Sequence, residues 1–317
     1  MVSPRTTSFA GPTGEAFLRA HWQRLRSRRT ASGLLRQAGA GSSAERTQPL
    51  IHPEWLVVER GEAPVLASIP HAGTEIPEGI RRNMVSPALS LRDTDWWLEY
   101  LYDFLRDLGV TIVRTKVSRT VADMNRDPSG ISLYPGRATT ELCPTTTFDG
   151  VPLYKPGWEP SQDEIEQRCS TYFRPYHEAL EGEVARLSAL HKRVVIYDCH
   201  SIRSVIPRLF SGELPHISIG TNDGLSCSPA LSALVAATFS SSRYTCVTDE
   251  RFKGGWITRQ YGKPEQGIHA IQLELACRTY MAETDKLEPA PYSEARAREI
   301  RTYLKLALVR IIDWGQS

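Results

Sequence analysis

No run of about 18 apolar residues occurs anywhere in the 317-residue sequence, so no segment reads as a membrane-crossing helix. The N-terminus lacks the continuous apolar core of a signal peptide. Cysteine is sparse: Cys143, Cys169, Cys199, Cys227, Cys246 and Cys277 are scattered and form no CxxC pair. That spacing argues against a disulfide framework or a zinc ribbon, and fits reduced thiols in a cytoplasmic protein. No internal repeat is visible. An excess of one charge is also missing, with a formal net charge of only +2. The balance hides an asymmetry, because residues 1–50 carry eight Arg against two Glu while the rest carries 30 basic and 34 acidic residues. Outside the first 50 residues the charge gives no footing to nucleic-acid binding.

Residues 1–50 read as a basic, flexible extension, and residues 51–317 as a single α/β domain. Glu15–Leu35 has the pattern of a basic amphipathic helix, and Gly39–Thr47 that of a linker. Arg-rich, acid-poor composition is also that of a transit peptide, so a targeting or nucleic-acid arm is the alternative. From Trp55 strands and helices alternate. Val65–Ile69 is a strand ending in Pro70-His71; Asp93–Leu108 is predicted as a helix closed by Gly109; Val110–Lys116 is a strand. Asp127–Gly157 is a long loop, the kind that carries function in a compact domain. Gln162–His191 is a helix kinked near Pro175, and Arg193–Tyr197 is a strand running into Asp198-Cys199-His200. Further strands are expected at Ile217–Gly220, Tyr244–Thr248 and His269–Leu275, with helices around Pro229–Phe239 and Tyr292–Trp314. The order implies an α/β three-layer sandwich with a mostly parallel or mixed sheet, its ligand lying beyond the carboxyl ends of the strands.

His71 and His200 both fall at such strand ends, and Asp198 precedes His200 by two residues. Neutral imidazole is the commonest zinc ligand and a carboxylate often orients it. The alternative for either is an ordinary hydrogen-bonded loop histidine. A catalytic zinc needs about three protein ligands, and the third should be a carboxylate. Asp93, Asp95 and Glu99 cluster at the start of one predicted helix, where acids also serve as caps; Asp95 is the choice among them. Glu274 lies in the apolar strand Ile271-Gln272-Leu273-Glu274-Leu275, on the same face as Gln272. A carboxylate there is costly unless paired or used, and it suits a general base; an ion pair with Arg278 is the competing reading. Asn125-Arg126, Arg203 and Arg259 are candidate contacts for an acidic ligand, since the guanidinium fork matches a carboxylate.

Several stretches, in order over about residues 54–290, resemble the N-formylglutamate amidohydrolase family and within it the deformylase branch. They are Ser68-Ile69-Pro70-His71-Ala72-Gly73, Asp93-Thr94-Asp95-Trp96, Ser118-Arg119, Asn125-Arg126-Asp127-Pro128-Ser129-Gly130 and Ser132-Leu133-Tyr134-Pro135-Gly136. Leu142-Cys143-Pro144-Thr145, Arg174-Pro175-Tyr176-His177, Asp198-Cys199-His200-Ser201-Ile202-Arg203-Ser204, Phe252-Lys253-Gly254-Gly255 and Gln272-Leu273-Glu274 complete the set. The resemblance implies a fold similar to zinc carboxypeptidases and zinc-dependent hydrolysis of N-formyl-L-glutamate to formate and glutamate, a step of histidine degradation. It implies His71 and His200 as ligands, Glu274 as general base and Asn125-Arg126 as a carboxylate-recognition pair. It leaves the acidic ligand open among Asp95, Glu99 and Asp93, and admits Glu75, four residues after His71. His177 is the next candidate base if Glu274 is not one. The sequence departs from the family pattern at Trp97 and Gln260, where relatives often carry His. Those departures motivate two other functions: hydrolysis of a different N-acyl amino acid, or loss of catalysis with retained carboxylate binding.

Overall fold

A computed structural model describes residues 52–317 except 133–135 and 137–138. The expected basic helix at Glu15–Leu35 and the linker after it lie outside the described residues. Among the described residues seven strands form one sheet: β1 (Leu56–Glu59), β2 (Val65–Ile69), β3 (Thr111–Thr115), β4 (Val194–Ile202), β5 (Ile217–Gly220), β6 (Cys246–Thr248) and β7 (Ile268–Ala276), in the order β1-β3-β2-β4-β7-β5-β6. β1 runs antiparallel to β3, and β5 antiparallel to β7; the other four pairings are parallel. The sheet is therefore mixed with a parallel centre. Helices that pack on the sheet or border the cleft include α1 (Arg174–Ser188), α2 (Pro229–Phe239), α3 (Trp256–Tyr261) and α4 (Glu294–Gln316).

Strand alternation sends Leu66, Val113, Val194, Ile196 and Ala270 to one face, where they meet Tyr176, Leu180, Val184 and Leu187 along one stripe of α1. On the opposite face Tyr197 meets the ring of Tyr102 at 6.1 Å, and α4 packs on β2 and β4. Three layers result. The kink expected near Pro175 is a π-helical turn, Cys169–Phe173, between the helix Gln162–Arg168 and α1. Proline has no N–H to give and sits in the first turn of α1, so the irregularity is placed just before it.

Two expectations change. Asp93–Leu108 is not one helix: only Leu98–Leu101 is α-helical, with a 3-10 turn at Asp103–Leu105. Asp93 and Asp95 spend their carboxylates on distant backbone amides, Phe148 N at 2.6 Å and Ser201 N at 3.0 Å, instead of capping a helix. Trp97 then takes a left-handed φ of 65° to start the short helix, and Gly109 ends the segment at φ 68°, as expected. β4 also runs on to Ile202 rather than stopping at Tyr197. Asp198 and His200 share one face while Cys199 enters the opposite core, so polar residues do not break the alternation.

Candidate active site

The face of the sheet that packs on α1 changes character along its length. Towards the carboxyl ends of the strands, Leu66 gives way to Ser68, Ile196 to Asp198 and His200, and Ala270 to Gln272 and Glu274. Parallel register pairs Asp198 with Gln272 and His200 with Glu274. Two rows of polar side chains thus stand at the position where open α/β sheets bind ligands.

His71 enters from the turn after β2, and its carbonyl receives Asp95 N at 3.1 Å. That bond carries Asp95 to the two rings. His200 Nδ1 lies 3.2 Å and His71 Nδ1 3.7 Å from Asp95 Oδ2, and the ring centroids are 4.7 Å apart. All three residues are buried, and their ligand atoms lie within 4.8 Å of one another. The far edge of each ring is held by a second carboxylate: His71 Nε2 donates to Asp123 Oδ1 at 2.7 Å, and His200 Nε2 to Asp198 Oδ2 at 2.9 Å. Both Nδ1 atoms are thereby turned to a common point, the arrangement that orients metal-ligating imidazoles. Among the described residues His71 Nδ1, Asp95 Oδ1 and Asp198 Oδ1 are buried without a hydrogen-bond partner.

The electrostatics suit a cation. Asp95, Asp123, Asp198 and Glu274 are buried together, with Arg119 as the buried counter-charge, 2.7 Å from Asp123 and 3.5 Å from Asp95. Burial raises the Asp95 carboxyl, but the neighbouring imidazoles of His200 and His71 outweigh it and hold the group well below the carboxylate range. Burial pushes Glu274 up to about 7, with His200 pulling the other way and Asp95 adding to the rise. Gln272 Nε2 donates to Glu274 Oε2 at 3.2 Å, while Gln272 Oε1 accepts from Gly255 N at 2.8 Å.

Asn125 ties these parts together. Its Nδ2 donates to Asp198 Oδ2 at 3.0 Å, and its Oδ1 accepts from Ile257 N, in α3, at 2.7 Å. Gly255 comes so close that a Cβ there would stand 2.4 Å from Asn125 Nδ2, so only glycine fits. His177 closes the arrangement from below: its Nε2 donates to Met124 O at 2.9 Å and its Nδ1 accepts from Tyr261 OH at 2.7 Å.

A cleft opens over this group, lined by His71, His200, Glu274, Gln272, Asn125 and Arg126 among others. Of the acidic candidates only Asp95 reaches the histidines. Asp93 pairs with Arg203, Glu99 pairs with Arg114, and Glu75 is exposed beside Val117. Arg126 is on the cleft, 3.1 Å from Thr140 Oγ1. Arg203 is not; it pairs with Asp149 at 2.7 Å and Asp93 at 3.1 Å and lines a neighbouring cavity. Arg259 turns back on Gly254 O at 3.1 Å and does not line the cleft. Trp97 donates to Ala290 O at 2.9 Å, and Gln260 is exposed on α3; neither lines the cleft. His177 also stays outside, buried beneath Met124.

Three groups of the site escaped the sequence reading. Asp123 was hidden inside the apolar stretch Val121–Met124, where a lone buried acid was itself the signal. Arg119 stands in the Ser118-Arg119 motif, which by itself assigns it no role. Arg251, which lines the cleft, had no local signal.

A sequence profile of the family described as N-formylglutamate amidohydrolase matches residues 63–281. An N-formylglutamate deformylase of Pseudomonas putida is 44% identical over 261 residues, covering 82% of this chain and 96% of that protein. One from Pseudomonas aeruginosa is 42% identical over 265 residues, covering 83% and 98%. The crystal structure of N-formylglutamate amidohydrolase from Ralstonia eutropha JMP134 shares the fold, with a TM-score of 0.68 at 22% identity over 82% of this chain and 98% of that one. Gene product Atu2144 from Agrobacterium tumefaciens does so with a TM-score of 0.63 at 19% identity, over 83% and 96%. The matched span contains both histidines, all four buried carboxylates and the cleft they line, and the chain belongs to the N-formylglutamate amidohydrolase family.

Proposed function

We propose that the chain is a zinc-dependent deformylase that hydrolyses N-formyl-L-glutamate to formate and L-glutamate. The observation that carries this reading is the buried His71–Asp95–His200 group with Glu274 beside it at one cleft. The donor set fits a divalent cation: two imidazole nitrogens and a carboxylate, with a buried excess of negative charge and the unpartnered His71 Nδ1. His71, Asp95 and His200 would hold the ion, which when bound supplies Lewis acidity towards the formyl carbonyl and the attacking water.

The chain's own groups do the rest. Glu274 takes a proton from the water, and an affinity near neutrality lets it return that proton to the glutamate nitrogen as the C–N bond breaks. Gln272 fixes the Glu274 carboxylate, and Arg126 offers its fork to a substrate carboxylate. The cleft is walled by Phe148, Ile202 and Leu209, which exclude water around the reacting amide. This reading carries with it the expected role in histidine degradation and a cytoplasmic location.

The test is formate release by the purified full-length chain, with zinc and after chelation, across N-formyl-glutamate and a panel of other N-acyl amino acids. Turnover of N-formyl-glutamate that chelation abolishes and zinc restores supports the proposal. Turnover only of another acyl-amino acid would keep the reaction class and discard this substrate. Binding without any turnover would leave a carboxylate-binding protein.

A further inference from the structure

We propose that Arg251 recognises the side-chain carboxylate of the substrate and so sets the preference for acidic N-acyl amino acids; the inference rests on the deformylase reading above. An acyl-glutamate brings two carboxylates, and among the described residues three arginines line the cleft: Arg119, Arg126 and Arg251. Arg119 is already committed to Asp123 and Asp95 and lies over the Phe148 ring at 4.8 Å. Arg126 follows Asn125 and comes within 3.6 Å of Asp123, the carboxylate that orients His71. It therefore sits next to the reacting end, where the α-carboxylate, one carbon from the amide nitrogen, must lie.

Arg251 approaches from the other side. Arg126 belongs to the segment after β3 and Arg251 to the segment after β6, and β4 and β7, with His200 and Glu274, lie between those strands. A ligand spanning the central pair meets one cation on each flank. The Arg251 segment is a built platform: Asp249 accepts from Thr221 N at 2.7 Å, and Lys253 O from Asn222 N at 2.6 Å. Arg251 Nε donates to Leu209 O at 3.0 Å, and its guanidinium lies over Phe252 at 5.0 Å. Phe252 and Leu209 in turn pack on the apolar group of Phe148, Ile202, Ile206 and Leu214. The fork is thus held in place before substrate arrives, in surroundings that strengthen its attraction for an anion.

The experiment compares kcat/KM of the zinc-loaded full chain for N-formyl-glutamate and N-formyl-glutamine, which share the α-carboxylate and differ in the side-chain charge. Wild type should favour glutamate, and Arg251→Ala should collapse the ratio by about 100-fold, the scale for losing one partner of a desolvated charge pair. The glutamine rate serves as the internal measure of folding. Arg251→Lys should restore part of the ratio, and Arg126→Ala should lower both substrates alike. An Arg251→Ala enzyme that keeps the wild-type ratio, or loses both substrates equally, would overturn the assignment. Wild type that releases formate from neither substrate would instead overturn the deformylase reading, and this inference with it.

Discussion

His71 presents Nε2 to Asp123 at 2.7 Å and Nδ1 to Asp95 at 3.7 Å, so one carboxylate fixes the tautomer with which the ring meets the other. Asp123→Asn should therefore weaken zinc binding by about 10–100-fold, the usual effect of removing an orienting carboxylate. Competition with a chromophoric chelator measures it. Unchanged affinity would show that the His71 ring is held by packing alone.

Glu274 and His200 sit side by side yet should fail differently. Glu274→Gln is nearly isosteric and should keep zinc while kcat falls by about two to four orders of magnitude. His200→Ala should lose zinc affinity itself, because it removes a proposed ligand. Metal content and single-turnover rates separate the two. Zinc loss in Glu274→Gln would make Glu274 a ligand.

Gly255→Ala tests the glycine that faces Asn125. A Cβ there would lie 2.4–2.5 Å from three atoms of the Asn125 amide group, which is tied to Asp198 and α3. Overpacking of this kind costs about 1–3 kcal/mol. A lowered Tm together with reduced kcat/KM is expected; a fully active, equally stable variant would mean that Asn125 can move without consequence.

His177 gives a pH dependence whose sign follows from burial. Burial lowers its pKa from 6.5 to about 4, with the Met124 carbonyl opposing. Between those values the unfolded chain binds more protons than the folded one, so stability rises with pH there. The contribution is complete above about pH 6.5 and is lost as pH falls towards 4, a loss on the order of 3 kcal/mol. Glu274, raised to about 7, contributes with the opposite slope, so the measurement is a difference. Urea midpoints of wild type minus His177→Gln, taken from pH 4 to 7, should rise with pH; a flat difference would contradict a buried neutral imidazole.

Where local pattern decides, the sequence was legible. Pro229–Phe239 forms as expected, Ile268–Ala276 extends the expected strand by one residue at each end, and the two-residue period puts Gln272 beside Glu274. His71, Asp95 and His200 converge as anticipated, because strand ends and motif order are local signals. The arginines were not legible in the same way. Arg203, Arg259 and Arg251 all carry the same charge near the same motifs, and the packing of the folded chain decides which faces the cleft. Asp149 and Asp93 draw Arg203 away, Gly254 O holds Arg259, and Leu209 with Phe252 directs Arg251 inward. The predicted helix at Asp93–Leu108 failed for a related reason: its acids answer to Phe148 and Ser201, more than 50 residues away.

His200 and Glu274 are direct partners in the parallel β4–β7 ladder. The gap between a proposed ligand and the proposed base is therefore a strand spacing, about 4.8 Å, dictated by peptide hydrogen bonds and not by side-chain preference. Surface drift cannot widen it by degrees. A slip of one residue in either strand would turn that strand's polar row into the opposite core, abolishing the pair and burying charge at once. Catalytic competence and correct strand pairing are then a single event in folding, so a refolding chain should regain activity in step with its sheet, without a partly active stage in between.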